Sequence, residues 1–130
     1  MLKFNLKVTI QNGILQLKIN SFYFKTINIM SQPAFIKELS IPAIAAPMFL
    51  ISGPKLVIEC CKNGIVGTFP ALNQRTTAGF EDWLIEIKTA LADFEKETGK
   101  KPAPYGVNLI VHQSNPRVQA DLAVCVKHQV

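Results

Sequence analysis

Two stretches of this chain carry residue types that could seat a flat ligand. One is Ala46-Pro47-Met48, which closes an apolar run; the other is Asn108, which interrupts one. Small side chains at a strand end let a planar ring approach the backbone, and proline fixes the turn that follows. The plainer alternative for those three residues is a buried strand end with a core methionine. Asn108 stands inside Val107-Asn108-Leu109-Ile110-Val111. A buried amide left without a hydrogen-bond partner costs roughly 1–3 kcal/mol, so neighbouring backbone or a ligand must supply one.

The other reactive residue types are scattered. His112 follows the same apolar run, where it could line a pocket mouth or be solvated, and His128 suits the negative end of a helix. Cys60, Cys61 and Cys125 make an odd count with two adjacent, a poor arrangement for a disulfide and without zinc-ligand spacing. Cys60 and Cys61 fall on the apolar positions of a predicted helix, where free cysteine acts as a small hydrophobe. The reading is reduced core thiols in a cytoplasmic protein. There is no metal-ligand cluster and no paired-carboxylate motif.

The elements that must position these residues alternate. Residues 41–48 (IPAIAAPM) form a continuous apolar run, as in a strand covered on both faces. Ser52-Gly53-Pro54 starts a helix whose apolar positions are Leu56, Val57, Cys60 and Cys61, and Asn63-Gly64 ends it. A second strand is expected over residues 65–69, then a long polar connection over 70–78, of the length that is often functional. Phe80, Trp83, Leu84, Ile87, Leu91 and Phe94 set the spacing of a long helix, with Glu81 and Asp82 in its first turn and Gly99 at its end. Residues 105–111 make a third strand. Ser114-Asn115-Pro116 caps a third helix with an apolar face of Val118, Leu122, Cys125 and Val126.

Three strand-helix units in a row predict a parallel α/β sheet. The first strand is followed by PMFLISG rather than a G-x-G-x-x-G phosphate turn, which favours a barrel over a dinucleotide-binding sheet. A (β/α)₈ TIM barrel takes about 250 residues, so the expectation is its N-terminal part, about three units, truncated where Gln129-Val130 would begin a fourth strand.

Composition supports a foldable domain: 130 residues, 48% apolar, mean hydropathy +0.21. No apolar run is long enough for a membrane-spanning helix, and the N-terminus lacks the pattern of a signal peptide. The net charge of +5 is concentrated in residues 1–29, where Lys3, Lys7, Lys18 and Lys25 meet no acidic residue; residues 30–130 carry only +1. That distribution argues against nucleic acid as a partner. Alternation around Asn12-Gly13 suggests a small β-hairpin in this head. The alternative is that residues 1–29 are an atypical extension, not native to the domain, with Met30-Ser31-Gln32-Pro33 as a natural start. Residues 30–130 are then the partial barrel domain.

Residues 41–75 (IPAIAAPMFLISGPKLVIECCKNGIVGTFPALNQR) with 105–112 (YGVNLIVH) resemble the N-terminal part of nitronate monooxygenases, also called 2-nitropropane dioxygenases. The likeness runs over roughly residues 34–130. It implies an FMN-dependent barrel, an oxidoreductase that oxidises alkyl nitronates with dioxygen to a carbonyl compound and nitrite. It also implies that Ala46, Pro47 and Met48 lie against the flavin ring and that Asn108 bonds it. The family's catalytic histidine and phosphate-gripping loops belong to later strands, so no catalytic residue is assigned here and the fragment alone is expected to be inactive. Arg75 could meet an anionic nitronate or be solvated. Related flavin barrels (enoyl reductases, inosine-monophosphate-dehydrogenase-like enzymes) share the first-strand motif, and a non-catalytic fragment is the third reading.

Overall fold

The computed structural model describes residues 6–11, 14–19, 22–23, 27–28 and 34–130, which fall in two compact units, Met1–Pro33 and Ala34–Val130. In the first, β1 (Leu6–Gln11) pairs antiparallel with β2 (Ile14–Ile19), from Leu6 opposite Ile19 to Gln11 opposite Ile14. That register leaves two residues between the strands, and the Asn12-Gly13 turn itself lies outside the described residues. The short strands β3 (Phe22–Tyr23) and β4 (Ile27–Asn28) both pair with β2. Met30 also lies outside the described residues.

The second unit is a mixed α/β arrangement. A 3₁₀ turn (Ala34–Glu38) precedes α1 (Pro54–Lys62), β5 (Gly67–Pro70), a second 3₁₀ turn (Ala71–Asn73), α2 (Thr77–Thr98), β6 (Tyr105–Asn108) and α3 (Val118–His128). β5 and β6 pair in parallel, Gly67 opposite Tyr105 and Pro70 opposite Asn108. The expected first strand is reduced to one parallel bridge, Ile44 to Val66. Its two bonds run from Ala45 N–H to Val66 O and from Val66 N–H to Ala43 O. Two residues on, the next donor in that ladder is Pro47, which has no N–H, so pairing stops there. The Thr68 hydroxyl bonds the Ala45 carbonyl instead.

Each helix is fixed by its ends. Proline opens α1, and Asn63 closes it, its Nδ2 donating to Glu59 O at 2.8 Å. Gly64 follows at φ +76, and a Cβ there would land on Ser40. Thr76 caps α2, its Oγ1 accepting from Gly79 N–H at 3.0 Å, and left-handed Gly99 ends it. Because the helix begins at Thr77, Glu81 and Asp82 sit beyond its first turn, a correction to the sequence reading.

One face of the sheet is covered by helices. Phe69 is fully buried, its ring centroid 6.0 Å from that of Phe80 and 5.8 Å from that of Trp83. Leu84, Ile87 and Val57 complete the centre, and Tyr105 and Val107 pack against it from β6. Gly67 is required here, because a Cβ would stand 2.7 Å from the Val57 carbonyl oxygen.

α3 turns inward only part of the face its apolar residues suggested. Cys125 is buried and Val118 half-buried as expected, but Leu122 and Val126 are exposed, and Val124 and Asp121 are buried instead. The cause is polar. Arg117 Nη2 donates to both Asp121 carboxylate oxygens (3.2 and 3.0 Å), and Thr77 Oγ1 donates to Oδ1 at 2.7 Å. This cluster rotates the helix so that Asp121 faces in. In α1 the sequence likewise missed Ile58, which is buried, while Leu56 and Cys60 are only half-buried.

Candidate functional site

Side chains alternate across a strand, so the helix-packed Phe69, Tyr105 and Val107 leave Thr68, Gly106 and Asn108 on the opposite face. A Cβ built on Gly106 would lie 3.5 Å from Thr68 Cγ2, which places these two neighbours on one side. Counting in register from the Ile44 bridge, Ala46 stands level with Thr68 and Gly106; Pro70 pairs with Asn108, and Met48 lies beyond the last paired residue of the first segment. Two of the four sequence candidates, Ala46 and Asn108, therefore share one parity, and Met48 opens the turn that follows the first segment. Pro47 contributes the break in the ladder. All four are exposed.

That exposure corrects the argument made for Asn108. Its amide is not buried and carries no obligation to an internal partner. Ile44 is likewise 62% exposed, so the first apolar run is open on this face rather than covered on both.

Beyond Met48 the chain makes a tight turn. Met48 N–H donates to Ser52 Oγ at 2.9 Å, and Met48 O accepts from Ser52 N–H at 3.0 Å. Leu50 sits at φ +62, a strained value for a residue with a side chain. Phe49, Leu50 and Ile51 are all mostly exposed. The turn is held from β5's side by Asn73: Nδ2 donates to Met48 O (2.9 Å) and Ser52 O (2.7 Å), and Oδ1 accepts from Leu50 N–H (3.0 Å). Asn73 in turn belongs to the loop after β5, where Arg117 reaches in from α3, Nη1 donating to Gln74 O at 2.7 Å. Thr68, Asn73 and Gly106 carry no site role in the sequence reading, although they stand in the strings Gly-Thr-Phe-Pro-Ala-Leu-Asn and Gly-Val-Asn-Leu that carry the resemblance. Their types alone do not tell a supporting residue from the other polar residues of the loop.

The remaining candidates lie apart from this face. Arg75 is exposed on the loop after β5. His112 is exposed and serves the turn before α3, its Nδ1 accepting from Ser114 N–H at 3.2 Å. His128 Nε2 lies 2.8 Å from Glu81 Oε1 and Lys127 Nζ 2.6 Å from the same atom, bracing α2 against α3. Hydrogen bonds from His128 and then Lys127 hold the Glu81 carboxyl below its usual range.

Two of the three thiols, Cys61 and Cys125, behave as core, and Cys60 is only half-buried. Burial pushes Cys61 and Cys125 above the ordinary thiol range, and Cys61 Sγ sits 3.4 Å from Pro104 O. Half-buried Cys60 is therefore expected to take up iodoacetamide first in the native protein at pH 8, with Cys61 and Cys125 modified only on unfolding. Mass mapping of the alkylated peptides checks this; early labelling of Cys61 would contradict it.

No family model, no curated protein and no solved structure matches the chain. No helix among the described residues is long and apolar enough to cross a membrane.

Proposed function

We propose that residues 30–130 are the N-terminal part of an FMN-binding (β/α)₈ barrel that oxidises alkyl nitronates with dioxygen, giving a carbonyl compound and nitrite. Residues 1–29 form an extension outside that domain, and the setting is the cytoplasm, in keeping with three free thiols. The supporting observation is the sheet face turned away from the helices. There Ala46 and Gly106 flank Thr68 with little side-chain height, Asn108 closes β6 and Met48 follows the first segment, at the C-terminal side of the strands, where barrels of this class keep their ligands.

These residues fit a flat ring. Ala46 and Gly106 let it approach the backbone, and the exposed Asn108 amide can both donate and accept along a ring edge. Met48 supplies an apolar, polarizable edge. Bound flavin would supply the electron chemistry; the protein would hold the ring, orient the substrate and limit solvent. The resemblance puts the phosphate-gripping loops on later strands, so this chain's grip is on the ring.

The test is a titration of the 130-residue chain with FMN and with riboflavin, followed by amide NMR. Weak binding is expected, with the two affinities within about twofold of each other because the phosphate adds little here. Shifts should concentrate at Ala46, Met48, Gly106 and Asn108. Gly106→Ala meets only ordinary contact with Thr68, so folding should survive while flavin affinity falls about tenfold from a methyl set under the ring. Shifts confined to the helix-covered side, or a Gly106→Ala variant that binds as before, would sink the proposal.

A further inference from the structure

We infer that Asn73 is the positioning residue of this face, setting the Met48–Ser52 turn and through it the edge against which the ring lies; this rests on the flavin reading above.

Three observations carry it. First, the ladder that would fix the end of the first strand stops at Ala45, because Pro47 cannot donate. Backbone pairing therefore does not define where Met48 sits. Second, the Asn73 side chain replaces that pairing: one amide satisfies Met48 O, Ser52 O and Leu50 N–H, within 2.7–3.0 Å. Its three bonds span a turn in which Leu50 is held at φ +62, a conformation that a bulky residue keeps only when its surroundings impose it. Third, Asn73 is itself anchored. Its 3₁₀ turn follows directly on β5, and Arg117 donates to the carbonyls at both ends of that stretch, Ala71 O at 3.5 Å and Gln74 O at 2.7 Å. The arrangement thus runs from the third helix, through the loop after β5, to the turn after the first strand.

A residue of this kind touches no reacting atom. It acts by pre-paying the ordering of a strand end that would otherwise be loose, which is how supporting contacts sharpen a binding surface.

The test pairs a conformational readout with a ligand readout on the full chain. In Asn73→Ala, the Leu50 amide loses its acceptor and is expected to exchange with solvent about tenfold faster, the scale of one lost hydrogen bond. Amides in the middle of α2 should be unchanged, and the affinity for FMN should fall about tenfold. Asn73→Asp keeps the acceptor for Leu50 but loses both donated bonds. It should keep Leu50 protected while still weakening FMN, and it decides the matter if the alanine variant loses its α2 protection. Unchanged Leu50 exchange in Asn73→Ala overturns the inference, as does faster exchange with unchanged FMN affinity. A wild-type chain that gives no shift with FMN overturns the flavin reading; faster Leu50 exchange in the alanine variant would then still establish Asn73 as the support of this turn.

Discussion

Arg117→Met is expected to destabilise the α/β unit by about 3–5 kcal/mol, because it strands a buried carboxylate. Asp121 is 1% exposed, and its two oxygens take bonds from Arg117 and Thr77. Methionine fills most of the arginine's volume, so the loss is electrostatic rather than a cavity. The same change releases the carbonyls of Ala71 and Gln74, freeing the loop after β5. Urea denaturation reads the effect as a lower midpoint with the slope preserved. The paired replacement Arg117→Met with Asp121→Leu should recover most of the loss, since a buried ion pair adds little over an apolar pair of similar volume. Arg117 Nε is buried without a partner among the described residues, which further limits the net value of the pair. A single variant that unfolds at the wild-type midpoint would refute this account.

Phe69→Ala should cost about as much, roughly 3–5 kcal/mol, by a different route. Phe69 is fully buried between the rings of Phe80 and Trp83 and is the point where β5 meets α2. Removing it empties the centre of a unit whose total stability is of the order of 5–15 kcal/mol. Leu122→Ala makes the matched control. The sequence pattern put Leu122 in the core, but it is 43% exposed, so its truncation should stay within about 0.5 kcal/mol. Equal midpoints for the Phe69 and Leu122 variants would show that the sheet-helix layer is not the core.

The alternation of strand and helix could be read directly because long apolar spacings and strong end signals coincide. α2 shows this best: of the six spaced residues, Phe80, Leu84, Ile87 and Leu91 are buried and Trp83 and Phe94 half-buried, and Gly99 marks the end. α3 resisted because its orientation is set by a buried ion pair, and an i, i+4 arginine and aspartate look like an ordinary solvated pair in a sequence. The first strand resisted for another reason. Its apolar content marks it as a strand, but one missing N–H at Pro47 decides how far it pairs, and apolar periodicity is blind to donors. At the candidate site, Ala46 falls level with Gly106 because the Ile44 bridge and the register of β5 and β6 put them there, with Asn108 two residues further along β6. Asn73 could not be found without coordinates, since its partners lie 21 to 25 residues away.

The break at Pro47 also decides what can move without unfolding the rest. Ala43 to Ala45 is tied by two backbone bonds to Val66, just before β5, and by the Thr68 hydroxyl to β5 itself, and the turn beyond it is tied by the one side chain of Asn73. Lifting this rim leaves the Phe69 layer untouched, so the segment can breathe as a small unit at a fraction of the global free energy. The floor of this face and its border thus differ in what holds them: main-chain pairing for one, a single amide side chain for the other.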